Sequence, residues 1–249
     1  MEERKQVRKS KGKRENMRIL LIADIHANYE ALETVLEISH DRVICLGDIV
    51  DYGPDPDKCI DLMRMKGIPV IRGNHDNAVA FKVDCQCGYK YKHLSIATRE
   101  YTWKILNRSE IEYLQKLPLL IKKVIDGKSL YLTHASPRSM FEYIKPETPD
   151  DEIQNMINEA AEPVETGFLI VGHSHIPMNR KLGNLTIINP GSVGQPRDGD
   201  PRASCAVFDT ENGEVEYLRL DYDINSVCAK IKERMPHADE LIAILRRGY

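Results

Sequence analysis

Met17-Arg18-Ile19-Leu20-Leu21-Ile22-Ala23-Asp24-Ile25-His26 decides how the chain is read. An unbroken aliphatic run is the pattern of a strand buried on both faces, and this one stops at an aspartate and a histidine. The construction returns four times. Residues 43–46 lead to Gly47-Asp48, 68–71 to Gly73-Asn74-His75-Asp76, 130–132 to Thr133-His134, and 168–171 to Gly172-His173-Ser174-His175. Each motif therefore falls just past a strand end, the edge at which open α/β sheets bind ligands. Asp24, His26, Asp48, Asn74, His134, His173 and His175 delivered to one edge have few uses other than holding metal.

The segments between these motifs predict the rest of the fold. Asn28 is placed to cap a helix with Leu32, Val35 and Leu36 on one face. A Gly53-Pro54 turn precedes a second helix through Ile60, Leu62 and Met63. Strands alternating with helices in this way predict parallel βαβ units, with 68–71 as the third strand. Residues 77–118 show no strand pattern and read as a helical insertion. A helix covers 94–106, and Ser109-Glu110-Ile111-Glu112 has the form of a capping box opening another. The insertion fits either a partial lid beside the metal edge or a helix pair packed on the sheet. Beyond it, Asp126-Gly127 between two apolar runs predicts a hairpin. A helix at 150–160, strands at 168–171, 185–189, 204–209 and 215–220, and two amphipathic helices complete the chain. With no repeat and no long linker, residues 17–249 read as one domain.

Composition narrows the function classes. Against 38 acidic residues stand 35 basic ones, so no global field steers the protein toward nucleic acid or an anionic membrane. No apolar run reaches the ~18 residues that a membrane helix needs. The N-terminus lacks the apolar core of a secretory signal, which predicts a cytoplasmic protein. Six scattered cysteines fit reduced intracellular thiols, and Cys85-x-Cys87 without a partner pair is a weak zinc signal. Residues 1–16 carry seven Lys or Arg against three Glu and almost nothing apolar, which reads as a disordered basic tail or a misassigned start before Met17.

Two residues apart in an extended segment, Asp24 and His26 would point to the same side, as would His173 and His175. The oxygen and nitrogen donors include no thiolate, a mixture that suits Mn²⁺ foremost, with iron, zinc or nickel also compatible, over oxygen-preferring Mg²⁺ or Ca²⁺. Seven donors are too many for one ion that keeps an open position, and right for two ions sharing a carboxylate.

The ordered series D-x-H, G-D-x-x-D, G-N-H-D, T-H and G-H-S-H resembles the calcineurin-like metallophosphoesterase superfamily, from residue 17 to about residue 210. Within it, Asn189-Pro190-Gly191-Ser192-Val193-Gly194-Gln195-Pro196-Arg197 resembles a signature of the small bacterial and archaeal phosphodiesterase-like branch. The resemblance implies an α/β sandwich of two mixed β-sheets flanked by helices. It implies Asp24, His26 and His175 around one divalent ion, Asn74, His134 and His173 around a second, and Asp48 bridging. It makes His75 the non-ligand histidine that protonates a leaving oxygen, with Asp51 orienting it, although Asp51 also fits a cap for the Gly53-Pro54 turn. The reaction implied is attack on phosphorus by a hydroxide bridging the two metals.

Tyr52 stands where the protein Ser/Thr phosphatases and the symmetrical dinucleoside tetraphosphatases carry an arginine near the second aspartate of G-D-x-x-D. That departure favours phosphodiesters or small nucleotide-type substrates over phosphoproteins. Asn28 and Tyr52 are pocket candidates. Arg197 leads Arg138 and Arg202 as a phosphate contact, unless it is a salt bridge holding its loop. A dinucleoside polyphosphate hydrolase or Ser/Thr phosphatase-like enzyme is the alternative within the same chemistry. A non-catalytic scaffold is disfavoured because every ligand and His75 are retained, and a nuclease would need a basic groove. The expected partner is a small phosphorylated molecule, with self-association left open.

Overall fold

A computed structural model describes residues 17–165 and 167–249; the basic segment 1–16 and its two readings lie outside them. The opening run forms β1 (Arg18–Ile22), with Asn28 capping α1 (Tyr29–Leu36) through a bond from Ala31 N to its side chain. Next come β2 (Arg42–Cys45), α2 (Pro56–Met65), α3 (Asn74–Phe81), α4 (Lys92–Ile105) and α5 (Arg108–Lys116). The later part contains the hairpin β3 (Leu120–Ile125) and β4 (Lys128–Thr133), then α6 (Asp150–Asn158) and β5 (Gly167–Ile170). β6 (Met178–Leu182), β7 (Leu185–Asn189), β8 (Ala203–Asp209), β9 (Val215–Leu220), α7 (Ile224–Arg234) and α8 (Ala238–Arg247) follow.

The strands make two mixed sheets, ordered β2-β1-β8-β9 and β3-β4-β5-β7-β6. β1 pairs parallel with β2 and antiparallel with β8, while β5 lies parallel to both β4 and β7. Alternation along β1 explains its unbroken apolar character. Ile19 and Leu21 face Leu132, Ile170, Ile188 and Phe208 between the sheets, whereas Leu20 and Ile22 pack with Leu32, Ile60 and Met63 under α1 and α2. On the far side of the second sheet, Ile153 and Met156 of α6 pack with Leu169 and Ile187. The result is the expected α/β sandwich.

Three expectations change. Residues 68–71 make only an isolated bridge, Cys45 with Val70, instead of a third strand; Pro69 has no N–H to donate to a ladder. The cap of α5 is Asn107, whose side chain accepts from Ser109 N and Glu110 N while Glu110 accepts from Asn107 N, so the box starts two residues earlier than Ser109. The 77–118 segment divides between its two readings. Leu106, Leu114 and Leu117 are built into the helix-side core, while Leu94 and Tyr101 of α4 pack with Tyr52 and the C-terminal helices. β6, which the sequence reading omits, is an edge strand with only Met178 fully buried. Among the described residues no helix is long and apolar enough to cross a membrane.

Candidate metal centre

The ligand loops leave their strands abruptly. Asp24, His26, Asp48, His173 and His175 have φ of 53, 47, 56, 65 and 59°, as do Asp51 and Tyr52 at 65 and 62°. The pairs Asp24/His26 and His173/His175 are therefore not extended, which corrects the expected geometry. Left-handed backbone costs energy in non-glycine residues and persists where surroundings over-determine it. Those surroundings are visible here. Asp24 N and His26 N donate to Gly47 O and Asp48 O, and Val193 N and Gly194 N donate to Ala23 O and Asp24 O. Ser192 Oγ donates to Asp24 O at 2.7 Å, and Asn189 Nδ2 donates to Gly172 O and Ser174 Oγ. The 189–197 motif is thus the clamp on two ligand loops. Gly194 is required there, because a Cβ would stand 1.8 Å from Ile25 O.

The donors converge as two groups, Asp24–His26–His175 and Asp48–His134–His173, all buried. Asn74 joins the second, its Oδ1 being 3.0 Å from His134 Nε2, with its Nδ2 donating to Cys85 O. Asp48 Oδ2 lies 3.3 Å from His134 Nε2 and 3.9 Å from His26 Nε2, between the groups, and no hydrogen bond reaches it. His26 Nδ1 bonds to Val50 O and His175 Nδ1 to Gln195 O, which leaves both Nε2 atoms as bare acceptors only 3.2 Å apart. Burial holds both imidazoles neutral, pushing His26 down to about 3 and His175 well below its usual range. Lone pairs facing one another beside an unpartnered carboxylate oxygen call for a cation. The donor set therefore fits divalent metal. Burial raises the Asp24 carboxyl to about 7. Burial disfavours charge on His134 too, but Asp48 beside it outweighs that and lifts it to about 9.

His75 stands beside the donors, edge-on to His26 with ring centroids 5.1 Å apart. Its Nδ1 bonds to Asp51 Oδ2 at 2.9 Å, and Thr102 Oγ1 donates to Asp51 Oδ1 at 3.0 Å. Both carboxylate oxygens of Asp51 are thus taken, and the turn at Gly53 is closed by Asp51's backbone carbonyl instead. Burial opposes charge on His75, but Asp48 and the Asp51 bond prevail and raise its pKa.

The pocket candidates separate. Asn28 Nδ2 donates to Gly194 O and Tyr222 Oη while its Oδ1 caps α1, so this expected pocket residue spends its polar atoms on structure. Tyr52 is buried against His26 with a hydroxyl that has no partner. Arg197 donates to Gln195 Oε1 and lies 4.9 Å over the Tyr91 ring, with its buried Nε unpaired. Arg138 and Arg202 are engaged by Glu142, Glu159 and Asp200. Sequence reasoning missed Thr102 and Tyr143, the latter stacked on His173 with centroids 4.1 Å apart. Neither carries a motif; only the fold delivers them. Asp76, in the first turn of α3, accepts from the cap residue Gly73 N and also from Asp48 N and Ile49 N.

Residues 17–213 match the calcineurin-like phosphoesterase superfamily domain. The chain belongs to this superfamily and is a phosphoester hydrolase. It is 37% identical over 240 residues to the uncharacterized protein MJ0912 of Methanocaldococcus jannaschii, covering 88% of this chain and 93% of that one. Phosphodiesterase YfcE of Escherichia coli K12 is 25% identical over 217 residues, 86% of this chain and 92% of its own. A metallophosphoesterase from Sphaerobacter thermophilus superposes with a TM-score of 0.78 at 31% identity, covering 94% of this chain and 99% of that one.

Proposed function

We propose that the chain is a phosphodiesterase using two divalent ions, manganese foremost, on a phosphodiester or small nucleotide-type substrate. The observation that carries this reading is Asp48 Oδ2, buried, without a hydrogen bond, and facing His134 Nε2 of its own donor group and His26 Nε2 of the other. Asp24, His26 and His175 would hold one ion, Asn74, His134 and His173 the other, and Asp48 both. When bound, two such ions supply charge neutralisation at phosphorus and lower the pKa of water between them. His75 donates a proton to the departing oxygen. Asp51, held by Thr102, fixes the ring so that Nε2 is the atom presented to substrate. Arg197 and Tyr52, each with an unpaired buried polar atom beside the donors, take the substrate's phosphoryl oxygens. Diester preference is supported by the likeness to a protein named a phosphodiesterase and by Tyr52 in place of an arginine. A reducing cytoplasm fits the six cysteines, all free thiols.

The test is metal-depleted protein assayed with manganese on a panel of chromogenic diesters, monoesters, dinucleotides and 2′,3′-cyclic nucleotides. Manganese-restored turnover fastest on a diester supports the reading. Restored turnover confined to monoesters or dinucleoside polyphosphates overturns the substrate class, and no turnover with any first-row metal overturns the enzyme.

A further inference from the structure

A third group of metal-ligating side chains lies apart from the centre. His93 opens α4, and His237 and Glu240 sit at the start of α8, 147 positions on between His93 and Glu240. His93 Nε2 is 2.8 Å from Glu240 Oε2, and His237 Nδ1 is 3.5 Å from Glu240 Oε1. One ligand atom from each residue falls within 4.8 Å of the other two. The imidazoles meet edge to face at 81° with centroids 5.5 Å apart, so they flank a common point without stacking.

Ligand atoms around a tetrahedral zinc, at bonds of ~2.0–2.1 Å, are separated by roughly 3.4 Å. The contacts to the two Glu240 oxygens, 2.8 and 3.5 Å, lie near that figure, and half-exposed side chains have the freedom to bring one oxygen and both rings onto a single ion. Hydrogen bonds alone account for the arrangement less well. The one hydrogen bond, between His93 Nε2 and Glu240 Oε2, leaves the placement of His237 Nδ1 at 3.5 Å from Glu240 Oε1 unexplained. One divalent ion satisfies the carboxylate and both rings in their neutral form.

We propose that His93, His237 and Glu240 form a second, structural binding site for zinc or a similar borderline cation, with solvent completing the shell. It fastens the helical segment to the C-terminal helix. Beneath it, Leu94 and Tyr101 of α4 already pack with Leu241 and Leu245 of α8. The proposal is independent of the catalytic reading, because none of its ligands reaches the centre.

The test is equilibrium dialysis of the full chain against micromolar zinc at neutral pH. His93→Ala, His237→Ala and Glu240→Gln, all surface changes, are compared with the parent after circular dichroism establishes that each is folded. Each variant is expected to bind one equivalent less than the parent and to lose part of the zinc-dependent rise in Tm, while manganese-supported turnover stays unchanged. Equal zinc stoichiometry in parent and folded variants overturns the site. If a variant does not fold, the other two carry the comparison.

Discussion

Removing the carboxylate of Asp76 should loosen the candidate metal centre. Its Oδ2 accepts from Asp48 N at 2.8 Å and Gly73 N at 3.0 Å, and its Oδ1 from Ile49 N at 2.8 Å. One side chain thus ties the loop of Asp48 to the loop of Asn74. Asp76→Ala orphans three buried donors, each costing ~1–3 kcal/mol, so about 6 kcal/mol in all. Against that, burial, with Asp48 next, pushes the Asp76 carboxyl up to about 6. Keeping it ionised at neutral pH therefore costs about 3 kcal/mol, a penalty that alanine removes. The net expectation is a loss of about 3 kcal/mol. Asp76→Asn also escapes the ionisation penalty. Its amide oxygen can replace Oδ2, but its Nδ2 then faces Ile49 N, and two donors without partners at ~1–3 kcal/mol each offset the ~3 kcal/mol regained, so it should fall only about 1 kcal/mol below the parent. Urea unfolding of the metal-free proteins, followed by Trp103 fluorescence and circular dichroism, measures both. Metal content and turnover should fall in the same order, alanine well below asparagine. An alanine variant as stable as the parent, or an asparagine variant worse than alanine, would refute the reasoning.

Further outcomes follow from single contacts. Thr102→Val removes the donor on Asp51 Oδ1; kcat should fall about tenfold with KM unchanged, and Thr102→Ser should restore it, whereas a KM effect alone would place Thr102 elsewhere in function. Gly194→Ala sets a Cβ 1.8 Å from Ile25 O, so Tm and bound metal should both drop, and full metal occupancy at the parent Tm would contradict the clamp. Hydrogen bonds from Arg202 hold the Asp200 carboxyl down at about 2. A depressed carboxyl stabilises above the unfolded value of ~3.9 and loses that contribution as pH falls through about 2. Because the pair is solvent-screened, Asp200→Asn should cost under ~1 kcal/mol at neutral pH and progressively less as pH falls through about 2; a difference that does not shrink in acid would sink the assignment.

Much of this fold could be read from residue order. β1 is aliphatic because one face meets the other sheet and the opposite face meets helices, and both facts leave the same local trace. The donors were legible because each motif directly follows an apolar run. What was not legible depended on partners distant in sequence. Asp24 and His26 looked extended, since nothing local announces a left-handed turn enforced by carbonyl and amide groups from Gly47 and Gly194. Residues 68–71 carried strand composition but had a proline where a ladder donor was needed. β6 alternates exposed and half-buried positions at a sheet edge and contains Arg180 and Lys181, so its hydrophobic signal is weak. Thr102 and Tyr143 have no motif because a hydroxyl or ring anywhere in a helix or loop looks alike until the chain closes.

Three centre histidines, His26, His134 and His175, are oriented through Nδ1 by the carbonyls of Val50, Leu46 and Gln195, while His173 uses Nε2 toward Phe141 O and so offers the opposite nitrogen. The groups steering all four rings are main chain. Substitution of the side chains at those carbonyl positions leaves the steering atoms in place, so that descendants of this sequence can diversify around the centre while every imidazole keeps its tautomer.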